Sequence, residues 1–347
     1  MIGLKRTGVQ TGGLVLLFLL TLIYISPVNI INPTLESNLS KDSNTTIVRF
    51  KLEHCNCERT LEIFKNENEP LFNSTTCGMD AFRRGSHQRT IGFSFYGDPR
   101  TPRHKSKQYF QGISENLNLL PRFYPGWTMR LYYDLAPNDP LLVDLCSLAC
   151  KDSNLDLCYV KNLPGVPMKD ATKVFAMNWR FFPTLDPQVD LYASRDLDSR
   201  FTSREEAAVK EWMELGQPIH SMRDHPAHTT PFLGAAWGAR IDTDNIRHKW
   251  VRSWEKILKD PETFAERNMT GPDQTILARY IWEWGRHMSV QHDAYTCHKF
   301  SNTIGWPTQR LKGSNNFVAA VVGDAGGLWR KCPKKCRRKG HLDWEHC

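Results

Sequence analysis

The sequence predicts an α/β protein with a mixed, mostly parallel sheet flanked by helices. The first observation is that strand and helix patterns alternate between residues 91 and 160, in the order strand, helix, strand, helix, strand. The second is that a similar succession of strands and helices resumes at residue 189 and continues to residue 293. Strands separated by helices are typical of parallel sheets, because each connection crosses a face of the sheet. With 347 residues, the chain is long enough to bury such a core.

In the first half of the chain, each element has a local signal. Residues 91–98 form an apolar strand pattern that ends in a Gly-Asp-Pro turn. Residues 106–120 carry apolar side chains at helical spacing, and the turn at Pro125 and Gly126 separates them from a second strand at 129–134. This half is completed by a short helix at 141–150 and a third strand at 155–160.

The second half begins with an apolar helix pattern at 170–182 and a fourth strand that starts at Val189. Thr202 and Glu205 have the spacing of a capping box, so a helix is expected from there to Gly216, with Glu205 acting as a cap and not as a catalyst. The remaining predicted elements are a strand at 219–228, a segment rich in small residues at 232–240, helices at 245–258 and 275–284, and a strand at 288–293.

Two carboxylates follow the fourth strand. Asp196 and Asp198 are separated by Leu197, and side chains two residues apart in an extended segment leave on the same face. Such close carboxylates repel each other unless a hard divalent cation lies between them, and Mg²⁺ or Mn²⁺ prefers oxygen ligands and keeps positions open for phosphates. Ligands of open α/β sheets bind beyond the carboxyl ends of strands, so this turn is a candidate metal and phosphate site. A solvated turn is the alternative.

The amino terminus has the pattern of a membrane anchor. Lys5 and Arg6 precede an uncharged stretch at 7–35, and its most apolar part is 14–25. Positive residues before a span place the amino terminus in the cytosol. We therefore predict a cytosolic tail at 1–8, a transmembrane signal anchor at 9–31 and a lumenal remainder. A cleaved signal peptide is the alternative, although no small-residue cleavage site follows cleanly.

The ten cysteines fit a lumenal chain, because disulfides form in oxidising compartments. The even count allows up to five bridges, and the spacing leaves their connectivity open. A zinc site is the alternative for one group, Cys332, Cys336, His341, His346 and Cys347. Glycosylation sequons support the lumenal orientation, and they lie at Asn38, Asn44, Asn73 and Asn268.

Three features together resemble the Golgi glycosyltransferases of the GT-A type. They are the anchor, the Asp-x-Asp motif within residues 194–200, and the Gly-Pro-Asp-Gln element at 271–274. The resemblance implies a GT-A (Rossmann-like) fold for residues 89–323, a nucleotide-diphosphate sugar as donor, and Mn²⁺ or Mg²⁺ as cofactor. It also implies a glycan, glycolipid or protein acceptor and a place in the Golgi or ER membrane. The donor sugar and the retaining or inverting stereochemistry stay open.

The resemblance also assigns roles to individual residues. Asp196 and Asp198 are the expected metal ligands, with His292 as the candidate that completes the metal site. Asp273 and Gln274 are expected near the sugar, whereas the alternative for Asp273 is a helix cap.

Further candidates follow from the chemistry of sugar transfer. An inverting reaction needs a base for the acceptor hydroxyl, and Asp224 and Asp273 are the candidates. Arg195, Arg200 and Arg223 are candidates for charge-assisted contacts to the diphosphate.

The regions outside the catalytic domain are polar or basic. Residues 32–88 are expected to form a lumenal stem with a cysteine-containing region, and residues 324–347 a Cys-rich basic C-terminal tail. Part of the net charge of +8 lies at 331–339, which indicates a solvated tail or a patch that attracts an anionic substrate. No nucleic-acid-binding signature accompanies this charge, so no nucleic acid partner is expected.

Two other functional classes stay open. One is a catalytically inactive lumenal protein of the same fold that binds a sugar or a nucleotide. The other is a metal-dependent phosphoester hydrolase, which would need more metal ligands near Asp196 than the sequence supplies.

Overall fold

The computed structural model describes residues 45–64, 72–97, 104–265, 271–314, 316–323 and 328–347, all of which belong to one unit, Ser43–Cys347. The predicted cytosolic tail and signal anchor, 1–8 and 9–31, lie outside these residues. Within them, no helix has both the length and the apolar character needed to cross a bilayer.

A two-stranded antiparallel hairpin precedes the main sheet and consists of β1 (Thr45–Lys51) and β2 (Glu58–Phe64). The main sheet has eight strands, which are β3 (Gln88–Phe95), β4 (Thr128–Tyr133), β5 (Leu155–Tyr159), β6 (Val189–Ser194), β7 (Ile219–Arg223), β8 (Trp237–Arg240), β9 (Ser289–Asp293) and β10 (Thr303–Ile304). Their order is β10-β9-β7-β8-β6-β3-β4-β5, and every neighbouring pair is parallel except the two pairs that include β8. The predicted mixed, mostly parallel sheet is confirmed.

Helices cover both faces of this sheet. They are α1 (Met79–Phe82), α2 (His104–Phe123), α3 (Pro140–Lys151), α4 (Ser203–Leu215), α5 (Asp244–Ile257), α6 (Pro272–Ile276) and α7 (Trp282–Gly285), with a π-helical turn, Leu277–Ile281, between the last two. Apolar side chains of α2, α3 and α4 form one core with the sheet, and those of α5 and the helical segment around α6 form another. The predicted helix after Thr202 is confirmed, because the Thr202 hydroxyl accepts the Glu205 N–H and the helix ends at Gly216 with φ of 67°.

The helix predicted at 170–182 is correct only in part. A 3₁₀ helix covers Ala176–Leu185, while the residues before it make turns. Asp170 accepts hydrogen bonds from both the backbone and the hydroxyl of Thr172, which is a local alternative to a helix. This 3₁₀ helix packs across β3 and β6 on the α5 side of the sheet.

The described parts of the region predicted as a stem, 45–64 and 72–88, belong to the same unit as the sheet. The guanidinium of Arg59 in β2 is buried against Asp156 of β5, with a distance of 3.2 Å, and donates to the carbonyl of Leu155 at 2.7 Å. Phe50, Leu52 and Leu61 join the core on the α2 side. The hairpin is therefore fixed by buried polar and apolar contacts.

The cysteine pairing binds distant segments together. All ten cysteines lie at disulfide distance in five pairs, Cys55–Cys146, Cys57–Cys150, Cys77–Cys158, Cys297–Cys336 and Cys332–Cys347. The first two join the turn of the hairpin to α3, and the third joins the segment before α1 to β5. The last two engage all three cysteines of the alternative zinc site, so these pairs support disulfides in that region.

The Arg59→Ala variant tests whether the hairpin is part of the cooperative fold. We expect it to lose about 3 kcal/mol of unfolding free energy, because it removes one partner of a buried ion pair. The matched control is Arg49→Ala, whose pair with Glu58 at 3.5 Å is largely exposed, and we expect a loss of at most about 1 kcal/mol. If both variants lost the same unfolding free energy in denaturant, the hairpin would unfold independently of the sheet.

Candidate functional site

The candidate site lies where β6 ends. Asp196 and Asp198 follow the last residue of this strand, while Leu197 between them is buried in the core on the α2 side. The Asp196 side chain is 41% exposed, and Asp198 is partly exposed. The predicted alternation of exposure is seen, because Leu197 is buried and the carboxylates on either side of it are partly exposed, although Leu197 and Asp198 lie in a turn and not in an extended segment.

Asp198 lies against α2. It accepts a hydrogen bond from the hydroxyl of Tyr109, but burial and the neighbouring charge of Asp196 outweigh this bond and raise the pKa of Asp198 from 3.8 to about 6. Gly112 allows this close packing, since a β-carbon there would lie 1.7 Å from the carbonyl oxygen of Leu197. The carboxylate of Asp198 is therefore held beside the helix, where burial and the neighbouring charge of Asp196 disfavour its ionised form.

Arg180 joins the carboxylate pair to the Gly-Pro-Asp-Gln element. Its Nη1 forms an ion pair with Oδ1 of Asp196, and its Nη2 lies 2.7 Å from Oδ2 of Asp273. Burial alone would lower the pKa of Arg180, but the two carboxylates outweigh burial and raise it, so the guanidinium is charged. We call Arg180, Asp196, Asp198 and Asp273 the carboxylate cluster. Three ionised carboxylates and one guanidinium give it a formal charge of −2.

Arg180 has no role among the predictions from the sequence. The apolar pattern at 170–182 indicates a helix, and Arg180 is one of the two cations in that segment, with Lys173. In the structure, the backbone of Arg180 is fixed by Ser94, whose hydroxyl accepts its N–H at 3.1 Å, and by Tyr192, whose hydroxyl donates to its carbonyl at 2.8 Å. An arginine in an otherwise buried segment is the signal that could have identified it, because such a charge needs a partner.

Asp273 is 2% exposed and lies in the first turn of α6, behind Gly271. Among the described residues, its carboxylate is bonded through Oδ2 by Arg180 and not by a helix N–H, so the alternative role as a helix cap is not seen. Its Oδ1 is buried and has no hydrogen-bond partner among the described residues. Next to it, Gln274 accepts a hydrogen bond from the hydroxyl of Thr230 at 3.1 Å.

Three predicted site residues are bound to α4 instead. Arg195 pairs with Glu205 at 2.5 Å, Asp224 with Arg204 at 2.7 Å, and His292 with Glu211 at 2.9 Å. All three are buried. The structure thus gives these residues partners that attach α4 to the ends of β6, β7 and β9, and it does not bring them into the carboxylate cluster.

The details of these contacts leave little capacity for ligands. Both carboxylate oxygens of Asp224 accept from Arg204, at 2.7 Å each. The second ring nitrogen of His292 lies 2.9 Å from Nε2 of His220, and burial lowers the pKa of His292. With both nitrogens engaged, His292 has no free lone pair for a metal in this arrangement.

The two other candidate arginines are also engaged. Arg223 is buried between Asp293, at 2.6 Å, and Gln291, at 2.7 Å, so its contacts hold β7 against β9. Arg200 pairs with Glu115 of α2 at 2.5 Å. Arg180 is therefore the arginine that the structure places beside the Asp-x-Asp carboxylates.

The cluster suits a hard divalent cation by its chemistry. Among the described residues, no group of three or more His, Cys, Asp or Glu side chains is arranged to hold a metal. Two carboxylates from one turn are nevertheless a donor set typical of Mg²⁺ and Mn²⁺, which keep waters or phosphate oxygens in their other positions.

No protein-family model matches the chain, and a search of curated proteins finds no significant match. The class of protein is therefore inferred from the residues of the cluster and from the elements that carry them.

The Asp198→Asn variant tests whether the ionised carboxylate of Asp198 destabilises the fold. The pKa of Asp198 is higher in the folded chain than its ordinary value of 3.8, so the carboxylate lowers stability as the pH rises from about 4 to 6 and above. In chelator at pH 7, the amide is expected to raise the unfolding free energy by about 1–3 kcal/mol, and at pH 4 to change it little. The comparison variant is Asp196→Asn, which weakens the partner of Arg180 and should lower stability at pH 7. If Asp198→Asn lost stability at both pH values, this would contradict the prediction that the ionised carboxylate of Asp198 destabilises the fold.

The Gly234→Ala variant tests the packing around Arg180. A β-carbon at this position would lie 2.1 Å from Oδ2 of Asp273 and 2.4 Å from Nη2 of Arg180, so the ion pair has to move. We expect a loss of about 1–3 kcal/mol in thermal unfolding, as for other overpacked sites. The control is Gly285→Ala, whose added carbon meets the Ile219 side chain at 3.2 Å and lies in a helix, where alanine is favoured. Unchanged stability of Gly234→Ala would show that the pair is loosely packed.

Proposed function

We propose that the protein is a metal-dependent glycosyltransferase of the GT-A type, which moves a sugar from a nucleotide-diphosphate sugar to an acceptor hydroxyl. The observation that carries the proposal is the bridge that Arg180 forms between Asp196 and Asp273. The Asp-x-Asp motif and the Gly-Pro-Asp-Gln element are far apart in the chain. If their match to the family were a coincidence, there would be no reason for both to contact the same guanidinium.

Asp196 and Asp198 are the residues that would hold Mn²⁺ or Mg²⁺. The formal charge of the cluster and the raised pKa of Asp198 both favour a cation at this position. Such a cation, when bound, neutralises the negative charge that the diphosphate leaving group acquires as the glycosyl bond breaks.

Arg180 supplies a second positive charge in a fixed place. Its guanidinium can exchange the Asp196 carboxylate for a phosphate oxygen, because the N–H fork of an arginine pairs with both carboxylate and phosphate groups. Asp273 then keeps it oriented through Nη2. In this proposal Arg180 takes the phosphate-binding role for which the sequence offered Arg195, Arg200 and Arg223.

Asp273 is favoured over Asp224 as the carboxylate that faces the sugar or its acceptor. Asp273 lies in the cluster and has an unpartnered Oδ1, whereas Asp224 is enclosed by Arg204 and by the backbone N–H of Val318 at 3.0 Å. Gln274 adds an amide beside it. The proposal places an acceptor hydroxyl of a glycan, glycolipid or protein on this side.

The proposed location is the lumen of the Golgi or ER, with the chain anchored by its predicted amino-terminal span. The five cysteine pairs support an oxidising compartment. The predicted anchor itself lies outside the described residues.

The test is thermal unfolding of the full-length chain with a panel of nucleotide sugars, with Mn²⁺ and with chelator. We expect one nucleotide sugar to raise the unfolding temperature only with Mn²⁺, since ligands of the folded state stabilise it by mass action. The double variant Asp196→Asn with Asp198→Asn should lose the effect, and Mn²⁺ binding to the unaltered chain should weaken below about pH 6, where Asp198 takes up a proton.

The matched control is Asp242→Asn, which removes an exposed carboxylate paired with Arg240 and should leave the stabilisation intact. The nucleotide sugar that stabilises the chain is then used in an activity assay. Release of free sugar, or transfer of the sugar to an acceptor, would distinguish an enzyme from an inactive binding protein. Stabilisation without any turnover would favour the binding protein, and no stabilisation by any nucleotide sugar would refute the proposal.

A further inference from the structure

Much of the positive charge of the chain is concentrated at its end. Residues 328–347, which we call the C-terminal cap, contain seven Lys or Arg residues and two Asp or Glu residues, a net charge of +5 out of +8 for the chain. Several of these cations are exposed, namely Arg330, Lys334, Lys335 and Lys339. A surface of this kind attracts anionic partners.

The C-terminal cap is fixed on the domain. Cys336 pairs with Cys297, Cys332 pairs with the terminal Cys347, and the guanidinium of Arg338 binds Glu211 of α4 at 2.6 Å. Part of this region was predicted as a solvated tail, but these contacts hold its backbone in place. A fixed set of cations binds a ligand with a smaller loss of conformational entropy than a flexible one.

An exposed aromatic ring lies beside these charges. Trp329 is 65% exposed, and its six-membered ring covers Gly313, where a β-carbon would lie 2.7 Å from the ring. Lys312 and Arg330, the chain neighbours of these two residues, are both exposed. A ring that lies over the backbone presents its other face to solvent, which suits the flat apolar face of a sugar ring.

A buried histidine with a free nitrogen adjoins the same surface. His346 is 9% exposed, and its Nδ1 has no hydrogen-bond partner among the described residues. Burial and then the nearby charges of Arg310, Lys312 and Lys331 lower its pKa, which places these cations around the ring. The ring of His346 therefore marks a place where Lys312 and the cations of the C-terminal cap come close together.

We propose that the C-terminal cap, together with Lys312, binds an anionic polysaccharide that carries sulfate groups. The sulfate groups of such a chain can pair with the separate exposed cations, and the sugar rings between the sulfates can stack on Trp329. The disulfide-distance cysteine pairs favour a compartment without nucleic acid. An exposed ring that lies flat on the backbone fits a sugar better than insertion into a bilayer. This proposal is independent of the glycosyltransferase proposal.

The test is titration of the full-length chain with a sulfated heparin-type oligosaccharide, followed by calorimetry. The double variant Lys312→Gln with Arg330→Gln should lower the affinity at least about tenfold, and Trp329→Ala about fivefold. Added salt should weaken binding, because it screens exposed charges. The matched control is Lys151→Gln, at the exposed end of α3, which should leave the affinity unchanged.

Four outcomes would overturn the proposal. One is no binding of the sulfated oligosaccharide. A second is equal binding of an unsulfated oligosaccharide of the same length. A third is an equal loss of affinity in the control variant Lys151→Gln. The last is binding to vesicles of anionic lipid that depends on the same residues and exceeds binding to the sulfated oligosaccharide. All variants change exposed side chains, so unaltered thermal unfolding should accompany each of them.

Discussion

The arrangement of the candidate site depends on one buried guanidinium. Arg180 lies beneath β3 and β6, and its carbonyl approaches Gly92 so closely that a β-carbon there would lie 2.1 Å away. Gly234 leaves similar room for the guanidinium itself. Two residues without side chains therefore allow a charged group to reach the carboxyl end of the sheet from its interior. Since a buried charge needs partners, Asp196 and Asp273 are brought to the same place.

A second set of charged pairs determines how α4 lies on the sheet. Arg204, Glu205 and Glu211 project from one helix toward the ends of three strands, and each finds an opposite charge there. Buried pairs of this kind give modest net stability, but they penalise every arrangement in which one partner is left alone. They therefore fix the position of the helix more than they contribute to the total free energy. Glu211 also binds Arg338, which extends the same network to the C-terminal cap.

The parts of this structure that follow from short-range patterns could be predicted from the sequence. The capping box at Thr202, the stop at Gly216 and the alternation around Leu197 each depend on residues a few positions apart. The bridge through Arg180 joins residues from three separated segments, and a single sequence gives no sign of which acid meets which base. The same limit applies to His292, which the resemblance offered as a metal ligand, while its ring nitrogens are taken by Glu211 and His220. For the cysteines, their even number predicted disulfide bridges, whereas the connectivity depends on which segments the fold brings together.

The contrast between the two sets of carboxylates separates scaffold from site. Asp224 and Asp293 are fully buried, and each is matched by at least one arginine, Asp224 by Arg204 and Arg310 and Asp293 by Arg223. In the carboxylate cluster one guanidinium faces three carboxylates, Asp196 is 41% exposed, and Asp273 keeps an unpartnered oxygen. The carboxylate cluster at the end of β6 differs, because two of its negative charges have no matching cation. Leaving these charges uncompensated does not stabilise the fold. Excess charge that is open to solvent on one side is what a cation-binding site requires, and this favours function as the reason for the imbalance.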